Sequence, residues 1–242
     1  TILTTANDDA TLTLFAAPVG GCGSPVSGAS RPMSLLNTVP PVLYLASRSP
    51  RRRELLTQIG VNFLLLPFRG VPREDIDVSE DVRPGEDAET YVVRVARAKA
   101  LGGEKRLAWR RLSAGLVLSA DTTVELEGDI LGKPHTPEVA KAYLLRMQGK
   151  QHVVYTGVAV LKDGKADVRH EETRVTFAPM TEREIDSYVA TGEPLDKAGA
   201  YGVQGPGGVF VDRVEGNYFN VIGLPLPLLY KMLIAAGEIS VD

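Results

Sequence analysis

The stretch Val42-Leu43-Tyr44-Leu45-Ala46-Ser47-Arg48-Ser49-Pro50-Arg51-Arg52-Arg53-Glu54-Leu55-Leu56 decides the fold. Its first five residues form a short apolar run that ends on turn formers, which predicts a buried strand over Val42–Ala46. Helical spacing of Leu55, Leu56 and Ile59 then predicts a helix from Pro50 to Ile59. Serine is a good N-cap, and proline in the first helical turn loses no hydrogen bond. A strand that feeds straight into a helix is the building unit of α/β folds. The same junction aims unpaired N–H groups outward, and its arginines add bidentate donors, so it is suited to phosphate. On these residues alone, a plain capped helix with solvated arginines is the alternative.

Outward from this unit, strands and helices alternate. Val61–Pro67 reads as a second strand, and the polar Arg69–Glu89 stretch as a loop entering a helix. Tyr91, Val92, Val95, Ala96 and Lys99 share one face of that helix. Gly115–Ala120 reads as a buried strand. Glu127-Gly128 predicts a hairpin turn between Thr123–Leu126 and Ile130–Leu131. A helix is expected over Thr136–Met147, with Pro137 in its first turn. Two long strands, His152–Leu161 and Ala166–Phe177, meet at Asp163-Gly164. Thr181-x-x-Glu184 is a capping box that opens a helix to Ala190. Glycine-rich Gly199–Gly208, a strand at Val209–Val214 and a helix at Pro225–Ala236 complete the pattern. The expected fold is α/β: a twisted mixed β-sheet with flanking helices, in two lobes.

Composition narrows the function classes. The chain has 242 residues, a formal charge of −3, and ordinary hydrophobic (44%) and charged (24%) fractions. Without a basic excess, nucleic-acid binding is not expected, whereas a compact anion needs only a local basic cluster. A single cysteine, Cys22, excludes an internal disulfide and suits a reducing, cytoplasmic setting. No apolar stretch approaches the ~20 residues of a membrane span. Residues 1–40 carry only Asp8, Asp9 and Arg31 as charges and read as a disordered extension before a domain over 41–242.

Further candidate residues lie along the domain. Asp121 follows the apolar strand Gly115–Ala120, where ligands of open α/β sheets bind, and a carboxylate there suits water activation or a divalent cation. Its plain reading is an Asx turn. Gly132-Lys133-Pro134 fails the P-loop pattern, because three residues rather than four separate Gly128 from Gly132, and Pro134 follows the lysine. Lys133 therefore stands as a point charge for a phosphate or as a surface lysine. Lys99 either snorkels to solvent or points into a cleft. Gln204, in Glu193–Gly205, can offer an acceptor and donors to a base edge, and the glycines there allow close backbone approach. His135, His152 and His170 form no metal-binding motif and read as surface or strand residues.

Taken in order, LASRSPRRRELL, SADTTV, ILGKP, LRMQGKQHVVYTGVAV, YVATGEPLDKAGAYGVQG and NVIGLPL resemble the Maf family from about Leu43 to about Leu229. The resemblance implies a fold similar to that of inosine triphosphatase, with two lobes around a cleft. It implies hydrolysis of nucleoside triphosphates to a monophosphate and pyrophosphate, with magnesium or manganese, in a homodimer. By position, Asp121 matches the general base; Ser47, Ser49, Arg51 and Arg52 match the phosphate-gripping turn; Lys99 and Lys133 match cleft lysines. Arg52, Thr122 and Gln204 match positions tied to substrate choice. The Asp196–Gly205 segment, including Lys197, looks like the branch acting on dTTP and UTP. One departure concerns the second acid of an adjacent pair, where Val78 stands; Asp77 or Glu80 would supply that carboxylate. A rival reading is a nucleotide-binding regulator of septum formation without catalysis.

Overall fold

The computed structural model describes residues 37–38, 42–66 and 78–240, all within one compact unit, Ser34–Asp242. Apart from 37–38, the N-terminal extension lies outside the described residues, and so does Asp77. In chain order the elements are β1 (Asn37–Thr38), β2 (Val42–Leu45), α1 (Pro50–Gln58), β3 (Leu64–Leu65), α2 (Ala88–Trp109), β4 (Gly115–Leu126), β5 (Asp129–Leu131) and α3 (Pro137–Met147). They continue with β6 (Gln151–Lys162), β7 (Lys165–Phe177), α4 (Glu182–Val189), β8 (Val211–Gly216), α5 (Tyr218–Ile222), α6 (Leu226–Ala235) and β9 (Ile239–Ser240). Short 3-10 turns occupy Glu193–Asp196, Ala198–Ala200 and Pro206–Phe210.

Among the described residues, seven strands form a mixed sheet in the order β3-β2-β4-β6-β7-β8, with β5 also on β4. β2 runs parallel to β4, and β4, β6 and β7 are antiparallel neighbours. β1 and β9 pair antiparallel in a small separate sheet. The expected mixed α/β sheet with flanking helices is thus what the chain forms.

β4 departs from the sequence reading in a way that matters. Asp121 does not follow a strand; it lies inside one continuous 12-residue strand, paired with Gly157 of β6. The segments expected on either side of a break are joined because β6 pairs with β4 from Val117 to Glu125 and gives polar Asp121-Thr122-Thr123 a ladder partner. The break lies on the other edge of β4. There β2 pairs only with Gly115–Leu118, and β5 only with Val124–Leu126. Between them, on this edge, residues 119–123 have no strand beside them among the described residues, so the sheet has a notch. The strand expected at Val61–Pro67 shrinks to Leu64–Leu65, and the one expected at Val209–Val214 is shifted to Val211–Gly216 behind the 3-10 turn.

Separate cores flank the notch. Leu43 and Leu45 of β2 pack with Leu55 and Leu56 of α1, Leu118, and Leu229 of α6. On the far side, Val124 and Leu126 pack with Leu144 of α3, Ile185 of α4, Phe177 and Tyr201. Fully buried leucines such as Leu118 and Leu144 each stabilise their lobe by about 1.5–3 kcal/mol. The two-lobed arrangement follows from these two cores sharing the long strands β4 and β6. On the opposite face α2 lies close against β6, because a Cβ on Gly157 would overlap the Val92 carbonyl. Val92, Val95 and Ala96 are fully buried there, as the helical spacing predicts.

Candidate active site

The notch in the sheet opens into a cleft of about 1290 Å³. Its floor is the free edge of β4. Period-2 alternation puts Asp121 on the face covered by α2 and Thr122 on the opposite face. Lys99 lies seven residues, about two helical turns, beyond Val92 on the same side of α2. It does not snorkel outward: its Nζ donates to Asp121 Oδ1 at 2.7 Å and lies 2.5 Å from Glu80 Oε1. Burial pushes the Asp121 carboxyl above its ordinary value against the pull of Lys99 and Arg52. For Glu80, burial pushes upward too, but Lys99, Lys133 and Arg52 outweigh it and hold the carboxyl below the usual range.

The turn before α1 forms one wall. Ser49 caps the helix, its Oγ accepting from the Arg52 N–H at 3.5 Å, and Pro50 occupies the first turn. Ser47 is buried, and its Oγ accepts from the Ser49 N–H. Two successive arginines on this helix have different surroundings. Arg52 donates from Nε to the Gly223 carbonyl, from Nη1 to the Ala120 carbonyl and Ser47 Oγ, and from Nη2 to Thr122 Oγ1, at 2.8–3.2 Å. Its guanidinium therefore bonds a β4 carbonyl on the edge that β2 leaves free. Burial lowers its pKa and the Asp121 charge raises it, with burial prevailing. Thr122 Oγ1 accepts from Arg52 and is 2.9 Å from Thr156 Oγ1, which in turn donates to the Asn220 carbonyl. Arg51 lines the cleft with no hydrogen bond or ion pair among the described residues.

The opposite wall carries exposed Lys133, and beyond it Lys197 and Gln204. Lys197 pairs with Asp196 and donates to the Glu193 carbonyl at 3.4 Å. Gln204 is exposed into the cleft, and its side chain has no hydrogen bond among the described residues. The segment leading to Gln204 is fixed at Tyr201, whose hydroxyl is 2.9 Å from Nε2 of buried His152. The glycines after Tyr201 admit protein groups. A Cβ at Gly205 would overlap the Glu193 carboxylate, and one at Gly207 would overlap the Tyr188 hydroxyl.

All ten residues picked out for catalysis or substrate binding line this one cleft, and Lys99 bridges its two carboxylates from α2. Asp77 lies outside the described residues, but Glu80 is present beside Asp121. Thr156, Asn220 and Tyr188 carry no local sign of a role, because they join the site only through pairing and packing between separate segments; Glu193 opens the motif that contains Gln204, but its place against Gly205 and Gly207 is set by the fold. No group of three or more His, Cys, Asp or Glu suited to a metal occurs among the described residues. Asp121 and Glu80 supply two hard oxygen donors around one ammonium. That set fits a magnesium-type ion, which takes one or two protein carboxylates and completes its shell with phosphate oxygens and water.

An α/β protein with a cation-lined cleft at a gap in its sheet, floored by a lysine-bridged pair of carboxylates, belongs by fold and site to the proteins built to receive small polyanions. Comparison makes the assignment specific: the chain belongs to the Maf-like protein family, whose model matches residues 42–236. A dTTP/UTP pyrophosphatase of Aromatoleum aromaticum is 52% identical over 185 residues, covering 76% of this chain and 90% of that protein. A protein of the same description from Moorella thermoacetica is 46% identical over 197 residues, covering 81% of this chain and 95% of the other. Among solved structures, the Staphylococcus aureus Ham1 protein aligns over 81% of this chain and all of its own, at 16% identity and a TM-score of 0.46. Among the described residues no helix is long and apolar enough to cross a membrane.

Proposed function

We infer that this protein hydrolyses nucleoside triphosphates, dTTP and UTP first among them, to the monophosphate and pyrophosphate. The observation that carries the reading is Asp121, buried on the free edge of β4 and bridged by Lys99 to Glu80, with Arg51 and Lys133 on the walls around it, neither in a hydrogen bond or ion pair among the described residues. Relatives of this size and identity described as dTTP/UTP pyrophosphatases support it.

In this reading the triphosphate lies between the α1 turn and Lys133. The N-terminal N–H groups of α1 and the Arg51 guanidinium bind phosphate oxygens. Arg52 holds the floor rigid through its bonds to Ala120 and Gly223, and so keeps Asp121 in place. Asp121 orients a water and takes its proton as the water oxygen bonds to the α-phosphorus. The bond from the α-phosphorus to the bridging oxygen breaks, and pyrophosphate leaves with the electron pair. Lys99 and Lys133 offset the negative charge that develops, so catalysis is positioning plus electrostatics. A divalent cation, magnesium or manganese, would be held by Asp121 and Glu80 and would supply charge neutralisation on the triphosphate. Gln204 faces the base. A homodimer and a cytoplasmic, nucleotide-pool role complete the proposal; they rest on the motif resemblance.

Pyrophosphate release across canonical and modified nucleoside triphosphates, with and without magnesium, tests the reading. Metal-dependent release, fastest from dTTP and UTP, is expected. Tight dTTP binding without any pyrophosphate release would favour the non-catalytic regulator instead.

A further inference from the structure

The glycine-rich segment around Gln204 is wrapped around a side chain of this protein. The Glu193 carboxylate accepts from the Gly207 N–H at 3.2 Å. Its Oε1 lies in the space that a Cβ on Gly205 would occupy and 3.0 Å from the equivalent point on Gly202. The Tyr188 hydroxyl stands beside it and accepts from the Gly202 N–H at 3.2 Å; burial raises the pKa of this phenol, and the neighbouring Glu193 carboxylate adds to the effect. Residues 202–207 therefore close over one carboxylate and one phenol, with Gln204 at the outer side of the arc. Gly205 has φ −114° and ψ −158°, an extended conformation open to any residue, so backbone strain does not explain the glycine. The space needed by the Glu193 carboxylate does.

We propose that Glu193, supported by Tyr188, is a positioning residue for base selection: its carboxylate is the internal template on which Gly202–Gly207 folds and presents Gln204 to the nucleotide base. The inference rests on the reading of Gln204 as the group that faces the base. A loop held this way has lost its conformational freedom before the ligand arrives, which favours affinity and discrimination over the rate of the chemical step. Glu193 acts through the loop and touches none of the reacting atoms.

The test is a double-mutant cycle of E193A, G205A and E193A/G205A, with Q204A as reference, read as kcat and KM separately for dTTP and dCTP. In E193A the KM for dTTP should rise, and the dTTP-over-dCTP preference should shrink, each about tenfold, the scale of one lost hydrogen bond to a charged group; kcat should change less. G205A alone should do the same, because its methyl displaces the carboxylate. Adding G205A to E193A should have no further effect, since the methyl then fills the vacated space. If E193A does not fold, E193Q, which keeps an acceptor for Gly207, should lie between wild type and G205A. Wild-type KM and preference in E193A would overturn the proposal. So would a G205A penalty that persists in the E193A background, because the glycine would then serve the ligand. If Q204A leaves the preference unchanged, the reading of Gln204 fails, while KM still decides the role of Glu193.

Discussion

The floor and the walls of the cleft carry the same kinds of polar group but treat them differently. On the floor the polar side chains that line the cleft are bonded to protein: Lys99 to two carboxylates, Arg52 to two carbonyls and two hydroxyls, Thr122 to Thr156. On the walls Arg51, Lys133 and Gln204 have polar ends with no partner among the described residues. Arg51 and Arg52 are adjacent in sequence and fall on opposite sides of this division. The floor is preorganised and contributes to stability, and the walls are solvated groups free to meet a ligand. Floor substitutions should therefore alter kcat or the stability of the fold, and wall substitutions should alter KM or kcat while leaving stability unchanged.

The largest effect should come from Asp121→Asn. The amide keeps the shape and loses the base, so kcat for dTTP should fall about 10²- to 10⁴-fold. Thermal melting should show a folded protein, because burial disfavours the carboxylate it replaces. Full turnover in this variant would remove Asp121 from the chemistry and break the division at its centre.

Arg52→Lys should come next, and should act first on stability. A lysine carries the charge but cannot reproduce donors to Gly223, Ala120, Ser47 and Thr122 together. Leaving a buried carbonyl and hydroxyls unpaired should cost about 2–4 kcal/mol in urea unfolding. A wild-type unfolding midpoint combined with a raised KM would place Arg52 with the walls, as the sequence reading had it.

The division also explains what was legible beforehand. Local patterns sufficed for α1 with its Ser49 cap, the capping box at Thr181–Glu184 and the turn at Asp163-Gly164, because caps and turns are set by neighbours in sequence. Lys99 was visible as a charge on an apolar helical face, and only the packing of α2 on Gly157 determines that it reaches Asp121. The open edge of β4 was not visible. It depends on where β2 stops and β5 starts, and apolar spacing within β4 does not record that. Arg52 and Arg51 look alike in sequence for the same reason: the carbonyls that bind Arg52 come from residues 68 and 171 positions away.

A third prediction concerns the anchor behind the Gln204 wall. Burial holds His152 down to about 4 from its ordinary 6.5. Between these values the unfolded imidazole takes a proton and the folded one does not, so the unfolded state binds more protons and stability falls as pH drops. The stability lost from pH 7 to pH 4 on this account should reach about 3 kcal/mol, one pKa unit being about 1.4 kcal/mol. Urea unfolding at both pH values, in wild type and His152→Leu, would measure it. The variant loses the bond to Tyr201 and is less stable at pH 7, so the informative quantity is its slope, which should be flatter by that amount. An unchanged slope would show that the imidazole does not stay neutral against Phe177 and Tyr201.

The smallest effect should be at Lys133, and it bears most directly on the comparison. Its ammonium is exposed and makes no hydrogen bond or ion pair among the described residues, acting on Glu80 only through its charge. Removing it should leave the unfolding midpoint within error of wild type, since exposed substitutions of this kind shift stability by less than about 0.5 kcal/mol. If the charge acts on a phosphate oxygen equally in the bound and reacting states, Lys133→Ala should raise KM for dTTP about tenfold with kcat unchanged. If instead it meets charge that appears only as pyrophosphate departs, kcat should fall by that factor and KM should hold. The two outcomes place Lys133 on the entering triphosphate or on the leaving group. Added salt separates them further, because a solvated wall charge is screened within about 8–10 Å at ordinary ionic strength, whereas the Lys99 bridge on the floor is not.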